Sequence, residues 1–278
     1  MKRIRDFIDT LDFSSSEELL KKSQYLADGA GLLSCESNPL WNVLSELPPH
    51  AEYDFDVSHF QATVSEREIP QITQALVTRN QFVAFAFSKP ESNWIAEQGF
   101  VQSRGHGRAP PLILHFTNTL ENTALEFQQR LQKNAEIVHV GLQFHCTTRE
   151  GIDQTIASGM KIAPLKEIER VGLLRCLEST SQLGFQQSTW IRLDLNCLAA
   201  SEGGRWATGL QIREILPLFE WLMRQTKLQG VSIGPVASGA DTLVTRTAAQ
   251  LIATLLFAYS HRQIVSSAHG KKASEIFS

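Results

Sequence analysis

Short apolar runs alternate with longer stretches whose apolar residues recur every three to four positions. The runs "YDFDV" (53–57), "QFVAFAF" (81–87), "PLILHF" (111–116), "EIVHVGLQF" (136–144), "MKIAPL" (160–165), "TWIRLDLN" (189–196) and "GVSIGP" (230–235) read as strands. Between them, "SEREIPQITQALVTRN", "NTALEFQQRLQKN", "TREGIDQTIASG", "VGLLRCLESTSQLG" and "GLQIREILPLFEWLMRQTKLQ" have the helical period. Near-continuous apolar strands separated by helices predict an α/β fold with a mainly parallel sheet covered on both faces, a three-layer α/β/α arrangement. Ser65 and Glu68 have the spacing of a capping box. The last helix, "DTLVTRTAAQLIATLLFAYSHRQ", is apolar nearly all round in its middle, which predicts packing under the sheet or against a neighbouring subunit.

No repeat, low-complexity tract or Pro/Gly-rich linker divides the chain, so one domain over 1–278 is expected, with an N-terminal helical extension (1–30) and a C-terminal tail (261–278). The chain has 278 residues, 42% of them hydrophobic and 20% charged, enough for a substantial core. A net charge of −3, with basic clusters only at "MKRIR" and "GKK", argues against a nucleic-acid partner. Cys35, Cys146, Cys176 and Cys197 are widely spaced, which excludes zinc-type pairs and a disulfide framework. Asp6, Asp9 and Asp12 interrupt any signal-like core, and "AAQLIATLLFAY" is short for a bilayer span, so a cytoplasmic protein without a membrane partner is expected.

Ligands of open parallel sheets sit beyond the C-terminal strand ends. Here those ends read "AFSK" (86–89), "FTNTLE" (116–121), "QFHC" (143–146), "DLNC" (194–197) and "GPVASGAD" (234–241). A two-metal hydrolase needs several carboxylates and imidazoles, and these segments offer only Glu121, His145 and Asp194. His145 and Cys146 are neighbours on an extended segment and point apart, which disfavours a nucleophilic pair. "SRGHGRAPP" (103–111), with Arg104, His106 and Arg108, reads either as an anion-greeting loop or as a surface turn. "SIGPVASGAD" (232–241) matches no phosphate-loop pattern, and Asp241 falls where a helix N-cap is needed.

From about Gly31 to Tyr259 the order of these pieces resembles the ureohydrolase family of arginase, agmatinase and formimidoylglutamase, with formimidoylglutamase the nearest branch. "RLDLNCLAA" followed by "GLQIRE" is similar to the family's S-x-D-x-D-x-x-D-P strand and G-L-x-x-x-E. "GVSIGPVASGAD" followed by "TRTAAQLIATLLF" resembles its D-x-x-E-x-x-P segment and T-A-x-x-A-A helix. "EIVHVGLQFHCTTREGIDQTIASGMKIAPLKEI" looks like the formimidoylglutamase strand ending in G-I-Q, which sets "PLILHFTNTLEN" against I-N-F-D-A-H-F-D-L and "QFVAFAFSKPES" against G-G-G-H-E.

The resemblance implies an arginase-like domain that binds two manganese ions at its strand ends and hydrolyses guanidino or formimino carbon–nitrogen bonds. Carried over by position, the ligands become Ser88, Thr117, Thr119, Glu121, Asp194 and Asn196, only Asp194 being unchanged, and Pro235 replaces a glutamate near the substrate. The family's longer S-G-T-P-F substrate loop is also shortened after Glu121. Two divalent ions need anionic or imidazole ligands to offset their repulsion and lost hydration, so no cofactor is expected; Glu121 and Asp194 would at most hold one magnesium or calcium weakly. Neutral Ser, Thr and Asn can instead satisfy one another by hydrogen bonds.

The expectation is therefore a non-catalytic ureohydrolase-like protein that binds a partner or small ligand. The alternative is a ureohydrolase-type hydrolase of linear amidines with an altered or single-metal site, and manganese belongs only to that alternative. A small amino-acid-like ligand would meet Lys89, His145, Asp194 and Pro235, with Arg104 and Arg108 around the cleft. Family members commonly form trimers or hexamers, so the resemblance implies a homo-oligomer or assembly with a related subunit.

Overall fold

In the computed structural model the described residues are 8–10, 16–23, 30–34, 40–41, 44, 59–88, 93–104, 109–120, 128–129, 131–181, 187–204, 207–225, 227–236 and 242–276. The strands are β1 (Ile8–Thr10), β2 (Ala30–Ser34), β3 (His59–Thr63), β4 (Phe82–Ala86), β5 (Leu112–Phe116), β6 (Glu136–Leu142), β7 (Lys161–Pro164), β8 (Ser188–Asp194) and β9 (Lys227–Gly234). The helices are α1 (Ser16–Ser23), α2 (Ile69–Thr78), α3 (Asn93–Arg104), α4 (Arg149–Ala157), α5 (Leu165–Val171), α6 (Leu173–Thr180), α7 (Ile212–Gln225) and α8 (Leu243–Ile276). All nine strands join one sheet in the order β1-β3-β2-β4-β9-β8-β5-β6-β7, every pairing parallel.

Side chains alternate across a strand, so each strand feeds two cores. Ala84, Leu114, Val138, Ile191 and Val231 pack with α5 to α8, while Val83, Phe85, Ile113, Ile137 and Trp190 pack with α1 to α3. The result is a three-layer α/β/α fold with helices on both faces of the sheet.

Four sequence expectations need correction. The stretch read as an N-terminal helical extension supplies the edge strand β1, Ile8 pairing with His59, and then α1. Strands β2 and β3 were not anticipated, whereas the predicted strand at 53–57 lies outside the described residues. The capping box does not form: Ser65 makes no side-chain cap, because residues 66–68 form a 3-10 turn and α2 starts only at Ile69, next to Pro70. The tail expected from residue 261 continues α8 to Ile276, since no proline follows Pro235 to stop it.

By length and composition the Leu243–Ser260 part of α8 could cross a membrane, yet 72% of that window is buried inside the protein. Leu251, Ile252 and Leu255 pack with Phe219, Leu222 and Met223 of α7. Its apolar perimeter is thus core packing.

Helix α3 carries half of the site described below, and its seat on α2 depends on Gly99. A Cβ there would lie 2.3 Å from the Pro70 carbonyl oxygen and 2.8 Å from Thr73 Cβ. Gly99→Ala is expected to cost about 1–3 kcal/mol, the usual range for overpacking, as read by urea unfolding. An unchanged midpoint would show that the two helices separate at no cost.

Candidate functional site at the strand ends

The parallel sheet gathers the C-terminal ends of β4, β9, β8, β5 and β6 along one edge. Phe87 N donates to Ile233 O at 2.9 Å and Val236 N to Phe87 O at 2.9 Å, so half-buried Ser88 and Pro235 leave the sheet side by side. Next along the edge, Asp194 ends β8 and caps a 3-10 turn. Its Oδ1 accepts from Asn196 N at 2.9 Å and from Asn196 Nδ2 at 3.0 Å. Its Oδ2 lies 3.5 Å from the Thr117 hydroxyl, which donates at 2.8 Å to Thr119 O. The Thr119 hydroxyl turns away to donate to Cys146 O at 2.8 Å, tying the loop after β5 to the loop after β6. There His145 is exposed, beside Phe144, which is 53% exposed.

Beneath this rim, on the face covered by α2 and α3, lies a buried ionisable row. The register sets His115 of β5 opposite both His139 of β6 and Arg192 of β8. Side chains two residues apart share a face, so His115 stands below Thr117 and Arg192 below Asp194. The two imidazoles meet through their Nδ1 atoms at 3.1 Å, and Gln128 Nε2 is 3.4 Å from His115 Nδ1. Trp94 of α3 stands edge-on to His115, and the Arg192 guanidinium lies over the Trp94 ring at 3.3 Å, a close cation–π contact. One turn along α3 is Glu97, fully buried, with neither carboxyl oxygen hydrogen-bonded.

Burial dominates the electrostatics of this row. It pushes the Glu97 carboxyl up to about 8, with Arg192 pulling the other way. It pushes His139 down to about 3, reinforced by Arg192, and holds His115 well below the usual imidazole range, with Arg192 and His139 adding to the effect. Near neutral pH the imidazoles are therefore neutral and Glu97 is largely protonated, while Arg192 carries charge.

No protein-family model matches the chain, and no curated protein matches it in sequence. Solved structures do match. Formimidoylglutamase from Bacillus subtilis superimposes with a TM-score of 0.70 at 12% identity, covering 93% of this chain and 92% of that one. Trypanosoma cruzi formiminoglutamase, crystallised with Mn2+, gives 0.72 at 11% identity over 87% and 96%. A hypothetical agmatinase from Burkholderia thailandensis gives 0.66 at 15% identity over 85% and 87%. The fold is that of the ureohydrolases.

On this ureohydrolase fold, the strand ends bring Thr117, Asp194 and Asn196 together and place Ser88 beside Pro235. Thr119 leaves that group for the Cys146 carbonyl. Lys89, Glu121, His106, Arg108 and Asp241 lie outside the described residues; α8 is capped by Thr242, whose hydroxyl accepts from Thr245 N at 3.2 Å. Arg104 is a correction. It ends α3 and its Nη2 donates to Val77 O, Asn80 Oδ1 and Gln229 Oε1, at the N-terminal end of the sheet. It therefore cannot serve the cleft, because crossover helices run antiparallel to their strands and finish at the opposite edge.

The buried row escaped sequence reasoning. Its signal was present in "PLILHF", "EIVHVGLQF" and "TWIRLDLN", each of which interrupts an apolar run with a histidine or arginine on the strand's inward side. Glu97 gave no such signal, since a glutamate in a helix is ordinarily solvated.

Proposed function

We propose that this chain is a non-catalytic ureohydrolase-like protein whose strand-end cleft receives a small ligand or a partner instead of a pair of manganese ions. The observation that carries the reading is the state of Asp194. One carboxylate oxygen is held by both nitrogens of Asn196, and the other faces a hydroxyl already donating to the Thr119 carbonyl. Ser, Thr and Asn at the neighbouring positions are weak, neutral donors, and such a set does not fit two adjacent divalent cations, which need anionic or imidazole ligands.

Asp194 and Asn196, and the hydroxyls of Thr117 and Thr119, instead hydrogen-bond within the strand-end loops, as in a cleft relieved of metal. The exposed pair Phe144 and His145 at the rim, with the Asp194 carboxylate inside, offers an apolar face, an imidazole and an acid to an amino-acid-like molecule. The assembly partner in this reading is a second copy or a related subunit.

Elemental analysis after dialysis in manganese-containing buffer tests the proposal. The expected result is close to zero manganese per chain, together with no release of ammonia, urea or formamide from linear amidines. Two tightly held equivalents, or ordinary manganese-dependent turnover, would overturn it and establish the hydrolase reading. The triple variant Thr117→Asp/Thr119→His/Asn196→Asp is expected to gain manganese binding, because it returns anionic and imidazole donors to these strand ends.

A further inference from the structure

The buried row beneath the cleft has chemistry of its own. Glu97 and Trp94 are three residues apart and so share one face of α3. That face meets Arg192 from β8, with His115 of β5 and His139 of β6 on the far side. Among the described residues the other elements packed on α3 add no charge here: α2 contains no ionisable side chain, and β9 presents Ser232, which accepts from Trp190 Nε1. Among the described residues Glu97 is thus a carboxyl without a hydrogen-bond partner, sealed from solvent, with Arg192 the cation acting on it.

We propose that Glu97 and Arg192 form a buried proton-binding site, in which Glu97 keeps its proton while Arg192 rests on Trp94 and, on releasing it to water, draws the guanidinium into a carboxylate ion pair. The geometry favours two arrangements. A protonated Glu97 needs no counter-charge, which leaves Arg192 over the aromatic face of Trp94. An ionised Glu97 in the same place requires compensation, which among the described residues Arg192 would supply through a hydrogen-bonded carboxylate–guanidinium contact. The bond that breaks is the carboxyl O–H; no other group changes its covalent state.

The consequence reaches the cleft because Arg192 is two residues before Asp194 on the same face of β8. Ionising Glu97 makes the floor beneath Asp194 and Thr117 more negative by one charge. Anionic groups at the strand ends should then be favoured on the acid side of the transition. This inference rests on the buried row alone and stands whether or not the rim holds metal.

Near-UV circular dichroism from about pH 5 to about pH 10 reads the stacking of Arg192 on Trp94. The wild type is expected to show a one-proton change with a midpoint near pH 8. Trp94→Phe should remove its amplitude, and Glu97→Gln should hold the acid-form spectrum throughout. A wild type with no such change, or an unaltered transition in Glu97→Gln, would overturn the proposal. Should Glu97→Gln fail to fold, the side-chain carboxyl carbon shift of Glu97 in selectively labelled wild type decides: titration near pH 8 supports the proposal, and titration in the ordinary carboxylate range defeats it.

Discussion

Stability is expected to peak near pH 6.5 and to fall steeply in acid, by an amount on the order of several kcal/mol between pH 6.5 and pH 3. His139 is depressed to about 3 in the fold, and His115 is also lowered, both chiefly by burial. Between about pH 3 and the ordinary imidazole value the unfolded chain binds more protons at His139 than the folded one, and His115 acts in the same direction. Their contribution is therefore complete above pH 6.5 and is lost as pH falls, at roughly 1 kcal/mol per pH unit for His139, with His115 adding in the same sense.

Glu97 acts with the opposite sign. Its folded value is raised to about 8, so the folded chain holds the extra proton. That contribution is complete below the unfolded carboxyl value and fades as pH rises through 8. Between about pH 4.5 and 6.5 it offsets His139, leaving His115 to set the acid-side slope there; above 6.5 it acts alone and gives the alkaline decline. Urea unfolding across this range checks the curve. His139→Gln should remove about one proton from the acid slope, and an unchanged slope would mean that the imidazoles titrate alike in both states.

The second large effect concerns Trp190. Its side chain is fully buried between Phe85 and Phe100, with ring centroids 6.5 and 5.4 Å away, and its Nε1 donates to Ser232 Oγ at 3.2 Å. Gly230 gives it room: a Cβ at that residue would meet the indole at 2.4 Å. Trp190→Ala removes the apolar surface, opens a cavity and strands the Ser232 hydroxyl. The expected loss is about 3–5 kcal/mol by chemical denaturation. Trp190→Phe, which keeps most of the packing, should lose less than half of that; equal losses would mean that the hydrogen bond, not the packing, dominates.

Strands β4 to β9 were legible because buried parallel strands are apolar on both faces, so "QFVAFAF" and "GVSIGP" stand out as unbroken runs. β1 was hidden at an edge among polar residues, in "IDT". β2, "AGLLS", was too short and too small-residued to separate from a turn, although all five residues are buried. Helix α3 went unread because its inward face mixes Trp94, Glu97 and Gly99 and lacks a continuous apolar stripe.

The rim of the candidate site was readable, since parallel topology alone converges the strand ends on Thr117, Asp194 and Asn196. Two of its details were not. Thr119 turns to a carbonyl donated by another loop, and Arg104 lies at the opposite end of the molecule; both depend on where helices and loops finish rather than on residue type. The Glu97–Arg192 approach joins residues ninety-five positions apart and has no local pattern to betray it.

The sheet order carries a last implication, for synthesis. The block β1-β3-β2-β4 and the block β8-β5-β6-β7 are joined in the strand ladder only through β9, which occupies the centre although it is the last of the described strands to be made. Until residue 227 has left the ribosome, the flanks of β4 and β8 that β9 later covers are bare hydrogen-bonding edges. A nascent chain stalled before that point should be a strong client for chaperones, and release of the final strand should act as the clasp that closes both halves together.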